Sequence, residues 1–572
     1  MNRKQLLKDA AIAVSLANLC FIVSWNDLLD SAPRDAFNVY NRNSFVTIIL
    51  NVLLLAALFW FACTLARRST NPIWLKLGRW VLPLVLMIPL DGLLTILIPG
   101  FNLMKLFSLL KVGYFNAPER MVIGTVLIMA AAYALAPRLK IATGAVMSLV
   151  AIFLGQREPV WLALVLVILM LFSLARWRCA VVRFASTGLL ILSPFIVVTF
   201  FQASSFGAKF SDRPPSLLIK GTSAKPRVLW LVFDELDQAM LFSRRPADLK
   251  LPEIDRLKEA SVYASNAYPP SDSTLMSMPA MITGRFISDA KVNGPADLFI
   301  QYAGSSNSVL WSSQSNIFGE ARGYDVNSAV IGWYHPYCRI LGQSLAYCHY
   351  QEFGRMPFGE SMSQQLKTLA RTVPLATYCG FFEEKDLEQH ERRRAFMISY
   401  TGVLEHARKA AVDRDLGLIM VHWPIPHPPA IFNHLTNEFE LGMQSGYLGN
   451  LALVDRTIGE LRRDLESAGL WDDTIVLITS DHWFRSEIHF RTKEDDEALA
   501  GLTDHRVPFL LKLADQNVCV PYDREFNNVL VHDLLLALLR AELKSPESVV
   551  SWLDNNRSIG ESPYNYHRLS AP

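Results

Sequence analysis

Val228-Leu-Trp-Leu-Val-Phe233 is an unbroken apolar run that leads directly into Asp234 and Glu235, and Thr474-Ile-Val-Leu-Ile-Thr479 is a second run that leads into Ser480-Asp481-His482. Short apolar runs between polar segments are typical of strands that are buried on both faces of a parallel sheet. In such a sheet the functional side chains collect just beyond the carboxyl ends of the strands. The two runs therefore predict strand ends that carry the ionisable residues of a site.

Further elements extend outward from these two strands. Short apolar strands alternate with helical patterns, which predicts an α/β domain with a mostly parallel sheet sandwiched by helices. The other predicted strands are 327–333, 416–422 and 507–513, and the predicted helices are 251–262, 390–412 and 446–468. We place this domain at 226–545 and expect a C-terminal tail over 546–572.

The first 203 residues have a different composition. The chain is 51% hydrophobic and 19% charged, and the hydrophobic excess lies before about residue 204. A membrane-spanning helix needs roughly 20 apolar residues. Runs that meet or approach this length are 10–26, 45–66, 80–99, 120–136, 159–175 and 184–202, with a shorter one at 141–155. We expect a polytopic helical membrane domain of five to seven spans, joined by a linker over 204–225.

The orientation follows from the positive charges of the short loops, which favour the cytoplasmic side. Arg3, Lys4 and Lys8 precede the first run, and with seven spans the other cytoplasmic loops are also rich in Lys and Arg. This predicts a multi-pass protein of the cell inner membrane with a cytoplasmic N-terminus and a periplasmic C-terminal domain. A cleaved signal peptide over 1–26 is disfavoured, because equally long apolar runs follow it.

Charge and cysteine content narrow the class further. The net charge is +2, from 55 basic and 53 acidic residues, so no nucleic-acid partner is expected. Of the seven cysteines, Cys338 and Cys348 stand close together in the polar half. They can close a short disulfide loop in an extracytoplasmic domain, and unpaired buried thiols are an equal alternative.

The two strand ends offer metal ligands. Asp481 and His482 stand side by side at the end of the second run and supply oxygen and nitrogen donors suited to zinc or manganese. Asp234 and Glu235 end the first run, where carboxylates in a partly dry site need a cation or a donor. Helix capping or solvation for the first pair, and an aspartate that orients a structural histidine for the second, are the alternatives.

A hydroxyl-rich segment lies between the two strands. The apolar spacing from Leu275 to Ile282 predicts a helix whose first turn contains Ser273 and Thr274 and which ends at Gly284. A hydroxyl at a helix N-terminus can direct a phosphoryl group toward free backbone N–H groups. From composition alone, Ser273 or Thr274 would be a simple N-cap.

Together these segments resemble the alkaline phosphatase and sulfatase superfamily over roughly residues 226–515. Thr274-Leu-Met-Ser277-Met-Pro279 looks like the nucleophile segment of the membrane phosphoethanolamine transferases, and Pro279-Ala-Met-Ile-Thr283-Gly284-Arg285 is similar to the end of the sulfatase signature. In that signature a cysteine that matures to formylglycine stands where this chain has Thr274. The resemblance therefore implies a threonine nucleophile rather than formylglycine.

The resemblance also implies roles for individual residues. By position, Asp234, Thr274, Asp481 and His482 match the single metal site of the family, for one divalent ion that is zinc or manganese rather than calcium. Glu235 matches a second carboxylate of the sulfatases and is a less certain ligand. The residues implied to bind substrate are His427, His422, His505 and Arg285; for the two histidines of the Pro-rich stretch, a surface position on a rigid loop is the alternative.

The chain departs from the family pattern after Asp481-His482. The family has a glycine there, whereas this chain has Trp483, followed by Phe484 and Arg485. The aromatic ring and the arginine can shape a pocket for a head group or its acceptor. A catalytically silent relative that binds or senses lipid is the alternative that this substitution leaves open.

The implied activity is phospho-group transfer. Thr274 would take a head group from a membrane phospholipid and pass it to a lipid-linked or envelope glycan, and the membrane anchor would hold the site near its lipid substrate. With water as acceptor, the same site would be a sulfatase-like hydrolase or phosphodiesterase.

Overall fold

The computed structural model describes residues 3–29, 33–40, 42–68, 185–219, 226–352, 384–442, 445–485, 492–502 and 505–557. The described residues fall into two compact units. The first contains the helices before residue 208, apart from residues 33–40. Those residues belong to the second unit, together with the chain after residue 207 up to residue 352 and from Lys385 onward. The predicted boundaries at 203, 225 and 545 stay predictions.

The described part of the second unit contains fourteen strands. They are β1 (Arg227–Asp234), β2 (Val262–Tyr268), β3 (Ile287–Val292), β4 (Leu298–Tyr302), β5 (Ser308–Leu310), β6 (Ser328–Trp333), β7 (Tyr347–Gln351), β8 (Leu418–Pro426), β9 (Phe432–Asn433), β10 (Glu438–Phe439), β11 (Thr474–Ser480), β12 (Val507–Lys512), β13 (Val520–Tyr522) and β14 (Phe526–Asn527). Nine of them form the main sheet in the order β13-β2-β12-β11-β1-β8-β6-β7, with β14 beside β2. Two small antiparallel sheets, β3-β4-β5 and β9-β10, stand apart from it.

The main sheet is mixed, which corrects the expected mostly parallel sheet at one strand. The pairings from β11 through β1, β8 and β6 to β7 are parallel, but β12 is antiparallel to both of its neighbours. Hydrophobic periodicity reports burial and not strand direction, so the sequence could not reveal this reversal. Because β12 starts at the edge where β11 ends, the connecting residues 481–506 begin and finish at the same edge of the sheet.

Both faces of the sheet are covered, as predicted. Along β1, Val228, Trp230 and Val232 enter one hydrophobic core, while Leu229, Leu231 and Phe233 enter the other. This alternation is the two-residue period of a strand. Among the described residues after 226, the α-helices are Gln238–Leu241, Pro252–Glu259, Thr274–Thr283, Ile317–Arg322, Tyr337–Leu341, Glu384–Ala411, Tyr447–Ser467, Lys493–Leu499, Val531–Leu539 and Pro546–Asn556. The second unit is therefore an α/β sandwich.

The first unit is helical in its described part. Its helices are Arg3–Cys20, Ile22–Leu29, Arg42–Arg68, Ala185–Leu192 and Phe195–Gly207. Among the described residues, only Arg42–Leu65 is by itself long and apolar enough to cross a membrane; the bent pair Ala185–Leu192 and Phe195–Phe210 qualifies if it forms one span. By length and composition, such a helix fits a membrane anchor or a signal sequence. The predicted spans 80–99, 120–136, 141–155 and 159–175 lie outside the described residues, so the count of five to seven stays a prediction.

Part of the predicted linker is bound to the second unit. Residues 211–219 have no regular secondary structure, and the backbone N–H of Ser216 donates to the carbonyl of Leu345 at 2.7 Å. The backbone N–H of Ile219 donates to Oδ1 of Asn327 at 3.0 Å. These residues therefore pack as an extension of the α/β domain.

Candidate active site

The carboxyl ends of β1 and β11 bring Asp234, Asp481 and His482 together. The two strands are parallel neighbours in which Phe233 lies opposite Ser480, so the residues that follow emerge side by side. His482 Nε2 lies 3.5 Å from Asp234 Oδ1 and 3.5 Å from Asp481 Oδ2. One ligand-capable atom from each of the three residues lies within 4.8 Å of the others.

The imidazole of His482 presents a lone pair to this cluster. Its Nδ1 lies 2.9 Å from the carbonyl oxygen of Trp483. A carbonyl can only accept a hydrogen bond, so Nδ1 carries the proton in the neutral ring and Nε2 does not. This hydrogen-bonded tautomer is the form in which histidine binds metals in proteins.

The two aspartates are buried and incompletely hydrogen-bonded. Asp234 Oδ1 and Asp481 Oδ2 have no hydrogen-bond partner among the described residues. Burial, followed by the nearby charges of Asp481 and Glu235, raises the pKa of Asp234 well above its usual value. Buried carboxylates with open lone pairs need a cation to stay ionised. The donor set of Asp234, Asp481 and His482 therefore fits a divalent metal ion.

Thr274 lies directly against this cluster. Its Oγ1 is 3.4 Å from Asp234 Oδ2 and 3.3 Å from His482 Nε2. Thr274 is the first residue of the helix Thr274–Thr283, and the N-cap position belongs to Ser273. The Thr274 hydroxyl is thus directed at Asp234 and His482 and does not occupy the N-cap position.

Local contacts explain why the segment around Thr274 folds in this way. Ser277 Oγ accepts from the backbone N–H of Ser271 at 3.0 Å and donates to the carbonyl of Ser271 at 2.9 Å, which closes the turn before the helix. The helix ends at Gly284 with φ 67°, a left-handed conformation that favours glycine. A Cβ atom on Gly284 would also approach the ring of His532 to 2.8 Å.

Glu235 points to a different partner. Its Oε1 lies 2.9 Å from both Nε and Nη2 of Arg485. Glu235 has φ 64°, and its backbone N–H donates to Asp481 Oδ1 at 3.2 Å. Atoms of Asp234, Glu235 and His427 form a second group within 4.8 Å of one another. The role of Glu235 as a metal ligand stays a prediction. In the structure its carboxylate forms an ion pair with Arg485.

The predicted substrate histidines lie at three different places. The backbone N–H of His427 donates to the carbonyl of Asp234 at 3.1 Å, and its Nδ1 lies 2.5 Å from the carbonyl of Pro428. His422 is buried in β8, where desolvation lowers its pKa to about 4. The ring of His505 packs against that of Trp483 in a tilted arrangement, with 4.4 Å between the ring centroids.

Arg285 is not brought to this cluster. It follows the far end of the helix that begins at Thr274, and a helix rises about 1.5 Å per residue, so roughly 15 Å separate the two backbones. Its guanidinium lies 3.6 Å from the ring centroid of Tyr302. A direct contact between Arg285 and the group that reacts at Thr274 is thus not supported by this placement.

Two residues beside the cluster had no predicted role. His335 Nε2 lies 3.0 Å from the carbonyl oxygen of Thr274, and Tyr337 Oη lies 2.9 Å from His422 Nδ1. Both belong to the stretch Gly-Trp-Tyr-His335-Pro-Tyr337-Cys338, whose aromatic and cysteine content was the only sequence signal. The structure joins Cys338 and Cys348 in a disulfide.

The α/β domain matches a known protein family. The sulfatase family model matches residues 226–535. None of the curated proteins matches the chain. Among solved structures, the chain is similar to a phosphonate monoester hydrolase of Agrobacterium radiobacter, with 15% identity, a TM-score of 0.36, and coverage of 55% of this chain and 74% of that one.

Two further solved structures are similar at the same level. One is an alkaline phosphatase superfamily protein from Vibrio parahaemolyticus, with 14% identity, a TM-score of 0.34, and coverage of 59% of this chain and 71% of that one. The other is the PsFucS1 sulfatase from Pseudoalteromonas sp., with 13% identity, a TM-score of 0.35, and coverage of 56% and 69%. Because the family match spans more than half of the chain, the protein belongs to the sulfatase family and is a sulfatase-like, hydrolase-type enzyme.

Proposed function

We propose that this chain is a membrane-anchored, metal-dependent phospho-group transferase in which Thr274 forms a covalent phospho-enzyme. The observation that carries the proposal is the position of Thr274 Oγ1, 3.3 Å from His482 Nε2 and 3.4 Å from Asp234 Oδ2 at the first residue of a helix. A threonine cannot mature to formylglycine, so its presence here favours phosphoryl transfer over sulfate ester hydrolysis.

The reaction would proceed in two displacements at phosphorus. A zinc or manganese ion held by Asp234, Asp481 and His482, with Thr274, would lower the pKa of the threonine hydroxyl and polarise a phosphate oxygen. Thr274 Oγ attacks the phosphorus of a phospholipid head group, the P–O bond to diacylglycerol breaks, and the released oxygen takes a proton. A hydroxyl of a lipid-linked or envelope glycan then attacks the phosphothreonine, and Thr274 regains its hydroxyl.

Other groups of the chain support these steps. The N-terminal end of the helix Thr274–Thr283 favours negative charge near Thr274 through the helix dipole. His427 lies with Asp234 and Glu235 in one group, which supports its imidazole as the proposed proton donor to the leaving oxygen. Arg485 adds a fixed positive charge beside the same group.

Mass spectrometry of the full-length protein incubated with membrane phospholipid tests the proposal. We expect a phospho-head-group adduct on Thr274, no adduct and no turnover in Thr274→Ala, and partial turnover in Thr274→Ser, which keeps a hydroxyl. Unchanged turnover in Thr274→Ala without any adduct would overturn the mechanism.

The reaction products identify the acceptor and distinguish the proposed transferase from the alternative functions. Release of the head group into water without any glycan product identifies a phosphodiesterase. Faster turnover of sulfate than of phosphate esters identifies a sulfatase that uses another activation route. Full-length protein that binds phospholipid but contains no stoichiometric zinc or manganese identifies a silent lipid-binding relative.

The location is part of the proposal, with the N-terminus in the cytoplasm and the α/β domain in the periplasm. Residues 33–40 belong to the same compact unit as the α/β domain. This grouping supports a topology in which both lie on the same side of a membrane crossed by the helix Arg42–Leu65. An even number of spans would then separate residues 42 and 207, and together with the predicted span at 10–26 the proposal favours a total of five or seven.

Labelling with a membrane-impermeant maleimide in intact cells tests this topology. Cys519 is an exposed free thiol of the second unit and serves as its reporter. In a background in which Cys20, Cys63, Cys179 and Cys379 are serine, we expect Cys519 to be labelled from outside. With Cys519 also replaced by serine, we expect Arg42→Cys to be labelled from outside and Lys4→Cys only after permeabilisation. Labelling of Arg42→Cys and Cys519 from opposite sides would overturn the topology.

A further inference from the structure

The loop from His335 to Cys348 contains the disulfide between Cys338 and Cys348 and contacts Thr274 through its first residue, His335. His335 is fully buried, and its Nε2 lies 3.0 Å from the carbonyl oxygen of Thr274. Since a carbonyl only accepts, Nε2 carries the proton and donates. Nδ1 of the same ring has no hydrogen-bond partner in the described part of the chain. The bond to Thr274 is thus the one polar contact of this ring that the structure shows.

Aromatic side chains fix the direction of that bond. The ring of Phe37 meets the His335 ring edge to face at 5.8 Å and 85°. Trp311 and Tyr337 make similar contacts, with centroid distances of 5.2 Å and 5.6 Å. A ring packed on several sides cannot turn freely, so the position of its Nε2 is set by the surrounding aromatic groups.

Arg339, four residues later, fastens the loop to residues 36–40. Its side chain is 1% exposed. Nη1 donates to the carbonyl of Pro295 at 2.7 Å and to those of Ala36 and Phe37 at 3.4 Å, and Nη2 donates to the carbonyl of Tyr40 at 3.0 Å. A buried guanidinium must be satisfied by such acceptors, so these contacts fix the relative positions of the two segments.

A second segment is bound to the same loop. The backbone N–H of Arg213 donates to the carbonyl of Cys338 at 3.2 Å, and that of Ser216 donates to the carbonyl of Leu345 at 2.7 Å. Residues 36–40 and 213–216 are the stretches of the second unit that continue in sequence toward the apolar helices Arg42–Arg68 and Phe195–Gly207. The loop therefore binds both of these connections.

We propose that the loop from His335 to Cys348 is a positioning element for the nucleophile, in which His335 holds the backbone of Thr274 and Arg339 fastens the loop to residues 36–40. This inference rests on the proposed role of Thr274. The attack requires Thr274 Oγ1 to stay within a few tenths of an ångström of its position against the metal ligands, because misplacement by about 1 Å can cost about 100-fold in rate.

Three substitutions of His335 in the full-length protein isolate the hydrogen bond. His335→Phe keeps a ring and removes the donor, His335→Asn keeps an amide that is too short to reach, and His335→Gln keeps a donor at a similar reach. The readouts are the single-turnover rate of adduct formation on Thr274 with a chromogenic phosphodiester, the bound metal per chain, and the melting temperature. His349→Phe, in β7, is the control for an unrelated histidine.

We expect His335→Phe and His335→Asn to form the adduct about tenfold or more slowly with unchanged metal content, and His335→Gln to recover most of the rate. Arg339→Lys and Phe37→Leu should slow the same step by a smaller factor. A native rate in folded His335→Phe or His335→Asn overturns the proposal. Equal losses in all three His335 variants, with loss of metal, also overturn it, since that pattern marks a purely structural role.

The controls separate this inference from the proposed function. If the wild-type protein forms no adduct and Thr274→Ala keeps its turnover, the proposed function fails. If the wild-type protein forms the adduct and His335→Phe forms it at the native rate, only the positioning role fails.

Discussion

Two groups of candidate ligands share Asp234, and they differ in how their charge is balanced. In the first, Asp234 Oδ1 and Asp481 Oδ2 have no hydrogen-bond partner among the described residues, and both lie near the unprotonated Nε2 of His482. In the second, Asp234 is joined by Glu235 and His427, and Glu235 is already paired with Arg485 at 2.9 Å. Both groups lie at the same edge of the sheet, but only the second has an arginine bound directly to one of its carboxylates.

The difference assigns separate tasks to the two groups. Carboxylates that face each other in a buried site without a bonded cation create a place for a metal ion. A carboxylate that is bound by a guanidinium has less need of one. We therefore expect one metal ion per chain, in the first group, and a substrate-facing role for His427 and Arg485 in the second.

Removal of a ligand from the first group should have the largest effect. We expect His482→Ala to lose most of its bound zinc or manganese and to lower kcat/KM by about 1000-fold or more, because catalysis by a metal ion accounts for several kcal/mol of barrier lowering. Metal analysis and steady-state kinetics of the purified full-length protein measure both. His532→Ala, a buried histidine outside the cluster, is the control. A full equivalent of metal in His482→Ala would contradict the assignment of the first group.

A change in the second group should leave the metal in place. We expect His427→Gln to lower kcat by about 100-fold for esters with poor leaving groups and far less for a p-nitrophenyl ester, since a general acid matters most when the leaving oxygen is basic. The bound metal should stay at one per chain. Loss of metal together with activity would show that both groups bind metal. His505→Gln provides the comparison for a histidine that packs against Trp483.

The first group was predictable from sequence, and its neighbours were not. Asp234, Asp481 and His482 follow buried apolar strands, and an ionisable residue at a strand end is visible in the sequence. The Glu235–Arg485 pair joins residues 250 positions apart, and the His335–Thr274 contact joins residues 61 apart. Such contacts depend on how the strands are ordered in the sheet, which hydrophobic periodicity does not report.

The prediction of the strands was limited in the same way. Strands with continuous apolar runs, such as β1 and β11, were predicted to within a residue at each end. The strand β2, Val262–Tyr268, was missed, because Val-Tyr-Ala-Ser-Asn-Ala-Tyr mixes small and polar residues and only part of it is buried. The first residue of β2, Val262, is also the last residue of a predicted helix, 251–262, which in fact ends at Glu259. Tertiary pairing with β12 and β13 decides the conformation of such a segment.

Replacement of Arg485 should make the second group more similar to the first in its ability to bind metal. In Arg485→Gln, Glu235 loses its charge partner, so we expect a second equivalent of zinc to bind at high zinc concentration and kcat/KM to fall about tenfold through lost phosphate binding. Arg485→Lys keeps the charge and should retain one equivalent. Titration with zinc, followed by metal analysis, measures the stoichiometry. Full activity with one equivalent in Arg485→Gln would show that the arginine serves neither purpose.

The smallest effect is expected at Trp483, which supports the first group through its backbone. Its carbonyl accepts a hydrogen bond from His482 Nδ1 at 2.9 Å, and its ring packs against that of His505. Trp483→Gly removes the side chain that fixes this backbone, so the orientation of His482 should loosen and the metal affinity should fall by about tenfold, as is usual when a contact that orients a ligand is weakened. Trp483→Phe keeps an aromatic ring against His505 and should bind metal almost as tightly as the native protein. Competition with a chelator measures both affinities. At saturating metal, turnover of Trp483→Gly should approach the native value, because the ligands themselves are unchanged. A loss of turnover that metal does not restore would instead place the ring of Trp483 with the second group, in contact with substrate.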